Sequence, residues 1–249
     1  MLRPGWAWSY AGSALWSSGG GAHADSVAVS WTMTIVAARD AGSARIALVR
    51  GFVGQLAWYE PSTRPRLSLL ACRGSQLFVL GLLSDTAAQS AYAHWSDSLF
   101  QQAELLLDLP LHDGQLFGQN PPRDDALYGW AVSAVRPEAF VRPPRNCGQS
   151  VGQRFELSYR SLPDHAVMEW QPGLGVTRYT YGHHGTPAAT EVRLVGCRRR
   201  HSTGPCARAD GRRCRSSHHN HARLTASKMR PLTTTARTLG GVPMNGCAA

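Results

Sequence analysis

Hydrophobic and polar residues alternate with a period of two along much of the first 196 residues. In one such run Phe155, Leu157 and Tyr159 share a face, and the segment 6–10 shows the same pattern near the start of the chain. This spacing is typical of β-strands with one buried face. Runs of this kind, separated by turns that contain Gly or Pro, predict strands at 6–10, 27–38, 44–52, 67–71, 76–82, 128–134, 155–159, 166–170, 176–181 and 190–195.

A different spacing begins after residue 84. The apolar residues that recur there at helical intervals are Ala87, Ala88, Ala91, Trp95, Leu99 and Ala103. With Asp85 as its candidate cap, this pattern predicts one helix around 85–103, best defined over 85–95. The end of the helix is open, because the apolar run 105–107 before Pro110 also fits a strand.

Short strands with frequent turns and a single helix predict an all-β fold with minor α content. We expect an antiparallel, curved sheet that forms a half-barrel or a barrel, because strands and helices do not alternate as in a doubly wound sheet. Two short segments also match each other, Leu2-x-x-Gly5-x-x-Trp8 and Leu111-x-x-Gly114-x-x-Phe117. Each is interpreted as a Gly-containing turn before a strand with a core aromatic residue, and two matches do not define a repeat protein.

Composition and charge change abruptly after Gly196. Residues 1–196 hold all 21 aromatic residues, 15 Arg and 15 acidic residues, so their net charge is zero. Residues 197–249 hold 11 basic residues and one acidic residue, and therefore carry the whole net charge of +10. We predict an antiparallel β domain over 1–196 and a basic Cys/His/Arg-rich tail over 197–249. The tail is interpreted as disordered, because it lacks hydrophobic content, or as the product of a frame shift.

The first 24 residues have some features of a signal peptide. Arg3 precedes a cleavage-like Ala22-His23-Ala24, but the apolar run that a signal peptide requires is missing between them. No apolar run is long enough to predict a membrane span. Cys72 and Cys147 could pair in an exported protein or could be two buried thiols, and the sequence leaves both alternatives open.

Two motifs resemble a known group of proteins. Leu2–Tyr10 matches the pattern L-x-x-G-x-x-W-x-Y, and Trp170–Tyr179 contains a P-G-x-G-V-x-x-Y hairpin. Both are similar to motifs of uncharacterised bacterial secreted proteins and lipoproteins that are rich in β-structure. The resemblance implies an exported, curved antiparallel β domain of unassigned function, located in the cell envelope or secreted. It covers the first 196 residues and implies no catalytic residues.

One segment matches a catalytic pattern. Gly148–Gly152 fits the G-x-S-x-G pattern of a serine nucleophile, and His165 and His183 lie downstream, so a serine hydrolase using Ser150 is an alternative function. The nucleophile requires a strand before it and a helix after it, whereas a Pro-rich loop precedes Ser150 and the predicted strand 155–159 follows it. We therefore interpret the match as fortuitous and lean towards a protein that is not an enzyme.

The tail contains the residue types that bind zinc. The candidate ligands are Cys197, His201, Cys206, Cys214 and His218. Neighbouring arginine runs would suit a phosphate backbone, so zinc or nucleic-acid binding through the tail is a weaker alternative that requires the tail to be genuine. The ligand spacing matches no standard zinc module, and the hydrophobic residues on which such a module packs are missing. We therefore predict no metal site.

These patterns favour a non-enzymatic bacterial envelope or secreted β domain that binds a hydrophobic ligand or a partner protein. The surplus of aromatic residues in the first 196 positions is the reason for this prediction. No cofactor is predicted, because the chain carries no P-loop, dinucleotide fingerprint, H-E-x-x-H, EF-hand loop or C-x-x-C motif. The pattern does not single out ligand-binding residues.

Overall fold

The computed structural model describes residues 2–17, 24–81, 84–119, 123, 125, 127–135, 144, 146–147, 152–185 and 188–199. Within this part of the chain the alternating sequence runs form β-strands. The strands are β1 Trp6–Ser17, β2 Ala24–Ala41, β3 Ala44–Arg50, β4 Leu67–Arg73, β5 Gln76–Leu80, β6 Glu104–Asp108, β7 Leu116–Phe117, β8 Trp130–Val135, β9 Arg154–Arg160, β10 Asp164–Gln171, β11 Gly175–His183 and β12 Ala188–Arg199. One α-helix, α1, spans Asp85–Ala93, and 3-10 helices span Val53–Leu56 and Asp97–Gln102.

The strands form one antiparallel sheet that curls into a nearly closed barrel. Their order is β6-β5-β4-β3-β2-β1-β12-β11-β10-β9-β8-β7. Consecutive strands are therefore neighbours in the sheet except β6 and β7, which are its two edges, and β1 also pairs with β12. Short turns join β2 to β3, β4 to β5, β9 to β10 and β10 to β11, whereas longer segments join β3 to β4 and β5 to β6. The predicted fold class, an antiparallel barrel-like sheet with little helix, is confirmed.

The hydrophobic positions of the alternating runs are buried as the spacing predicts. Tyr10, Trp31, Leu157 and Val192 are almost fully buried and belong to the larger of two hydrophobic clusters. Burial of apolar area stabilises the fold by about 25 cal/mol per Å², so these large side chains contribute strongly to barrel stability. The aromatic residues that suggested a ligand therefore also build the core.

The second hydrophobic cluster lies under helix α1. Ile46 and Leu48 of β3, Leu69 of β4 and Ala88 of α1 belong to it, whereas alternate residues of β3 join the larger cluster. Side chains of a strand point to opposite faces in turn, so both faces of β3 are buried. This explains why the sequence of β3 is more continuously apolar than that of a strand with one exposed face.

Helix α1 begins at Asp85, and its cap lies one residue before the predicted cap. The side chain of Ser84, not that of Asp85, caps it, with Ser84 Oγ accepting a hydrogen bond from the Ala87 amide at 3.1 Å. The Asp85 carboxylate instead accepts a hydrogen bond from the Leu67 amide at 2.7 Å and pairs with Arg50 at 2.9 Å. The helix ends at Ala93, so residues 97–102 form a 3-10 helix and 104–108 form a strand, rather than continuing the helix to 103.

The two motifs that carry the family resemblance contact each other. The indole of Trp8 donates a hydrogen bond to the Leu174 carbonyl at 2.9 Å, and the Tyr10 hydroxyl donates one to the Val176 carbonyl at 3.0 Å. Gly173, in the turn between β10 and β11, has a φ of 80°, which favours glycine. These aromatic residues thus hold a turn in place from inside the barrel.

The two matching segments occupy equivalent places in the sheet. The Gly5 amide donates a hydrogen bond to the Ile35 carbonyl of β2 at 3.0 Å, and the Gly114 amide donates one to the Val132 carbonyl of β8 at 2.9 Å. The strands that follow are paired with the same offset, since Trp8 lies opposite Met33 and Phe117 lies opposite Trp130. The first six strands and the last six are therefore similarly arranged meanders.

A disulfide joins Cys147 to Cys197, with a Cα–Cα distance of 4.6 Å. The suggested pairing of Cys147 with Cys72 is therefore wrong, and so is the alternative of a free Cys147 thiol. Strand β12 continues through Gly196 to Arg199, and Cys197 lies opposite Trp8 of β1. The fold thus extends three residues beyond the predicted boundary at 196, although the composition changes there. The rest of the predicted tail, from 200 onward, lies outside the described residues.

Candidate functional site

A cavity of about 270 Å³ lies within the barrel next to its open seam, between the edge strands β6 and β7. It is lined by residues from β5, β6, β8, β9, β10, β11 and the loop after β3: Phe52, Gly54, Ala57, Trp58, Val79, Glu104, Leu106, Trp130, Tyr159, Asp164, Ala166, Met168, Tyr179 and Tyr181. Its walls are mainly aromatic and apolar, with a few polar groups. This is the composition of small-molecule binding sites.

Strands β6 and β7 do not pair among the described residues, and side-chain contacts bridge the seam between them instead. The Trp130 indole donates a hydrogen bond to Glu104 Oε1 at 3.3 Å, which links β8 to β6. The Gln115 amide group, just before β7, donates one to the Asp108 carbonyl at 2.8 Å. Strand β7 has only two residues, so it is too short to form a long ladder with β6. The cavity thus lies beside the part of the sheet that is incomplete.

Glu104 brings a negative charge to this opening. Its side chain reaches solvent at the edge of the cavity, yet desolvation raises the pKa of its carboxyl group, while the hydrogen bond from Trp130 acts in the opposite direction. Removal of water from a carboxylate disfavours its charged form. In the described part of the chain Glu104 forms no ion pair, so its charge is not neutralised by a basic side chain.

Asp164 is the second carboxylate of the cavity, and its partners hold it in place. Its Oδ1 accepts a hydrogen bond from the Tyr181 hydroxyl at 2.5 Å and lies 2.9 Å from Nδ1 of His183. The bonds from Tyr181 and His183 lower the pKa of Asp164. Burial, together with the bond to Asp164, raises the pKa of Tyr181, so Tyr181 is the proton donor of the pair.

Trp58 lies at the cavity in an unusual backbone conformation. Its φ is 56°, a left-handed value that is strained for a bulky side chain. Its ring is 49% exposed and is tilted against the rings of His183 and Tyr181, at centroid distances of 4.2 and 5.9 Å. Strained residues persist only where the surroundings hold them, and such residues are concentrated at binding sites.

Tyr159 and Tyr179 lie between the two carboxylates. Desolvation raises the pKa of both phenols, and the charges of Glu104 and Asp164 raise it further. The Tyr159 ring also packs against Trp130, with centroids 5.4 Å apart and planes tilted by 52°. The cavity wall is therefore aromatic, and the electrostatic potential beside it is negative.

A second, smaller hollow contains the other predicted histidine. It has a volume of about 230 Å³ and is lined by Leu15, His165, Gly182, His183, His184, Ala188 and Ala189. Nε2 of His165 is buried here and has no hydrogen-bond partner among the described residues. Desolvation and the nearby positive charge of Arg160 lower the pKa of His165, so its neutral form is favoured.

The structure describes two of the three predicted hydrolase residues, His165 and His183. His183 is held by Asp164 beside the cavity, and His165 lies on the neighbouring strand in the second hollow. Ser150 lies outside the described residues, so its distance from either histidine is not defined. The serine hydrolase remains a prediction.

Of the five predicted zinc ligands, the structure describes only Cys197. Cys197 is bonded to Cys147, so its sulfur is not a thiolate in this structure. His201, Cys206, Cys214 and His218 lie outside the described residues. Among the residues that are described, no three His, Cys, Asp or Glu side chains are grouped so that they could hold a metal ion. No helix in the described ranges is long and apolar enough to cross a membrane.

Sequence patterns did not indicate the main residues of the cavity. Glu104 follows the predicted helix, Tyr159 is predicted only as part of a strand face, and Trp58 belongs only to the aromatic surplus. The cavity brings together residues between 52 and 181, so only the pairing of distant strands reveals it. The one local signal was the single acidic residue before an apolar run, Glu104 before residues 105–107.

Comparison with known proteins finds similarity only at the level of solved structures. A crystal structure of a "putative lipoprotein" from Parabacteroides distasonis aligns with 10% sequence identity and a TM-score of 0.40, over 79% of this chain and 96% of that one. A "putative exported protein with YmcC-like fold" from Bacteroides fragilis aligns with 9% identity and a TM-score of 0.38, over 79% and 97% of the two chains. No family model and no curated protein matches the chain. At these TM-scores we draw no functional conclusion from either structure.

Proposed function

We propose that the barrel is a non-enzymatic binding domain that holds a small hydrophobic or amphipathic ligand in the cavity beside the β6–β7 seam. The observation that carries this proposal is the cavity itself, an aromatic space of about 270 Å³ with polar groups at defined positions. Ligand sites commonly have volumes of about 300 to 1,000 Å³, so a small ligand fits best.

Filling the cavity tests this proposal. Ala166 of β10 lines the cavity, whereas its neighbour Val167 does not and points to the opposite face of the strand. We expect wild-type protein and Val167→Phe to bind the neutral fluorophore N-phenyl-1-naphthylamine with similar affinity, measured by its fluorescence increase. Ala166→Phe should weaken that binding at least about tenfold, a loss of about 1.4 kcal/mol. Equal binding by Ala166→Phe and wild type would place the ligand elsewhere and reject the proposal.

We further propose that the protein works in the bacterial cell envelope or is secreted. The disulfide between Cys147 and Cys197 supports this location, because disulfides persist in oxidising compartments. The family resemblance of the opening and hairpin motifs points the same way. Alkylation of free thiols in intact bacteria, followed by mass spectrometry, should leave Cys147 and Cys197 unmodified. Their modification in freshly lysed cells would argue for a reducing compartment.

The Asp164–His183 pair favours one alternative function, a serine hydrolase using Ser150. A carboxylate that holds a histidine is the arrangement that orients a general base. A fluorophosphonate probe should then label wild-type protein but not Ser150→Ala. No labelling of the wild type, while N-phenyl-1-naphthylamine still binds, would leave the binding domain as the function.

A further inference from the structure

We propose that the cavity selects a small organic cation, with an ammonium group lying between the aromatic walls and Glu104. This inference deepens the proposed binding function and rests on it. The polar side-chain groups of the described lining are two carboxylates, three tyrosine hydroxyls and the indole N–H groups of Trp58 and Trp130, with no Lys or Arg among them. His183 contacts one of the carboxylates, Asp164. A cavity lined by these groups repels anions and attracts cations.

The aromatic side chains supply the second part of the argument. Trp58, Trp130, Tyr159, Tyr179 and Tyr181 all line the cavity. Aromatic ring faces carry partial negative charge, and an ammonium group within about 6 Å of a ring centroid is attracted to it by about 0.5 to 2 kcal/mol. The Trp130–Tyr159 and Trp58–Tyr181 pairs are tilted by 52° and 53°, so their rings present faces as well as edges to the surroundings.

The charge of Glu104 supplies the third part. Asp164 already accepts hydrogen bonds from Tyr181 and lies against His183, whereas Glu104 accepts only the indole hydrogen of Trp130. Glu104 is exposed at the cavity edge and has no basic partner among the described residues, so its carboxylate is available to pair with a cationic ligand. Glu104 lies at the open seam, where a ligand enters, so it is placed to meet the charged end.

The size of the cavity limits the cation. A volume of about 270 Å³ accommodates a compact ligand with a few carbon atoms around its charge, rather than a long lipid or a peptide. A neutral sugar is the rival, because aromatic walls with carboxylates can also receive sugar hydroxyls. The free charge on Glu104 favours the cation.

An isosteric pair of probes tests the inference. Choline and 3,3-dimethylbutan-1-ol have nearly the same shape, but only choline is charged. Isothermal titration of the full chain should show choline binding at least about tenfold more tightly than the alcohol, in keeping with one cation–π contact and one carboxylate. Glu104→Gln should remove most of this preference and leave the affinity for the alcohol unchanged.

The control is Glu156→Gln, which removes a carboxylate from β9 that does not line the cavity. It should keep the choline preference. Equal binding of the two probes by wild type, a preference that survives in Glu104→Gln, or tighter binding of methyl glucoside than of choline would each overturn the inference. If the alcohol and N-phenyl-1-naphthylamine both bind and Ala166→Phe blocks them, the proposed function stands without the cation. If no probe binds, the proposed function fails as well.

Discussion

Two single residues at the cavity, Trp58 and Glu104, have features that do not stabilise the fold. Trp58 has a left-handed φ and keeps half of its surface in contact with solvent. Glu104 is held where its charge is partly desolvated. Both features cost folding free energy, of order 1 to 3 kcal/mol for a strained backbone residue. Neither stabilises the apolar core, so a role at the cavity explains them better.

Glu104 gives the first prediction at this scale. Desolvation raises its pKa in the folded state, so the folded barrel binds the proton more tightly than the unfolded chain does. The carboxylate therefore destabilises the fold increasingly as the pH rises from the unfolded pKa of 4.5 to the raised folded value, and the cost is constant above it. We expect Glu104→Gln to raise the melting temperature at pH 7 and to have little effect at pH 3.5.

The glutamine keeps an oxygen that can accept the Trp130 hydrogen bond, so this variant changes charge more than packing. Glu156→Gln serves as its control, because it removes the same charge from the sheet outside the cavity. Melting curves of the three proteins at both pH values make the comparison. A lower melting temperature of Glu104→Gln at pH 7 would show that the carboxylate is stabilising and contradict the assignment.

At the scale of the strands, the pairing of β1 with β12 joins the two meanders. Gly12 lies at the centre of this pairing, opposite Val192. A Cβ atom at position 12 would overlap the Glu191 carbonyl and lie 2.8 Å from the Val192 Cα, so the backbone of β12 would have to move. We expect Gly12→Ala to destabilise the protein by about 3 kcal/mol or more, as overpacking against backbone does.

Gly182 of β11 is the matched control, since a Cβ atom there meets nothing within 4 Å. Gly182→Ala should leave stability unchanged or raise it by about 0.5 to 1 kcal/mol, because glycine is unfavourable inside strands. Urea denaturation of both variants compares them. Similar stabilities of Gly12→Ala and wild type would show that β1 and β12 are farther apart than described.

The strands and turns were more predictable from the sequence than the cavity that they form. Period-two runs located the strands because one face of each is buried, and the turn at Gly173 was evident from its own residues. The helix end was harder, because residues 97–102 form a 3-10 helix with the same apolar spacing. The cavity was not predictable at this scale, since Glu104 of β6 and Trp130 of β8 are 26 residues apart in sequence and approach each other across the seam. The last three residues of β12, 197–199, were not predictable as strand because their arginines resemble those of the tail, yet their pairing with β1 continues to Arg199.

For the whole molecule, the disulfide fixes the loop before β9 to the last strand. Cys147 and Cys197 are separated by 50 residues. Closing a loop of that length lowers the entropy of the unfolded chain by an amount worth roughly 4 kcal/mol at 25 °C. We expect Cys197→Ser to lower the unfolding free energy by up to about that amount, measured by guanidinium denaturation without reductant.

Cys147→Ser and the double variant complete this experiment. If the two cysteines act only through their bond, both single variants and the double variant should lose the same free energy, because the second substitution removes nothing more. Additive losses in the double variant would show that each cysteine stabilises the barrel by packing instead. Ellman titration of the unfolded wild type would then be expected to detect both thiols.

The order of the strands has one more consequence, for how many ligands each chain binds. A rotation by half a turn that exchanges the two six-stranded meanders would place β1 on β7 and β12 on β6. The β1–β12 junction would then coincide with the β7–β6 junction. Two identical copies of one meander would therefore close a ring with two equal junctions. Here one junction is a ladder from Trp6 to Leu15 with one register shift between Ser9 and Tyr10. At its counterpart the two residues of β7 pair with β8 but not with β6 among the described residues, so a gap is left. The cavity lies beside the junction where this symmetry is broken. If it is the proposed binding site, a titration should saturate at one ligand per chain rather than two.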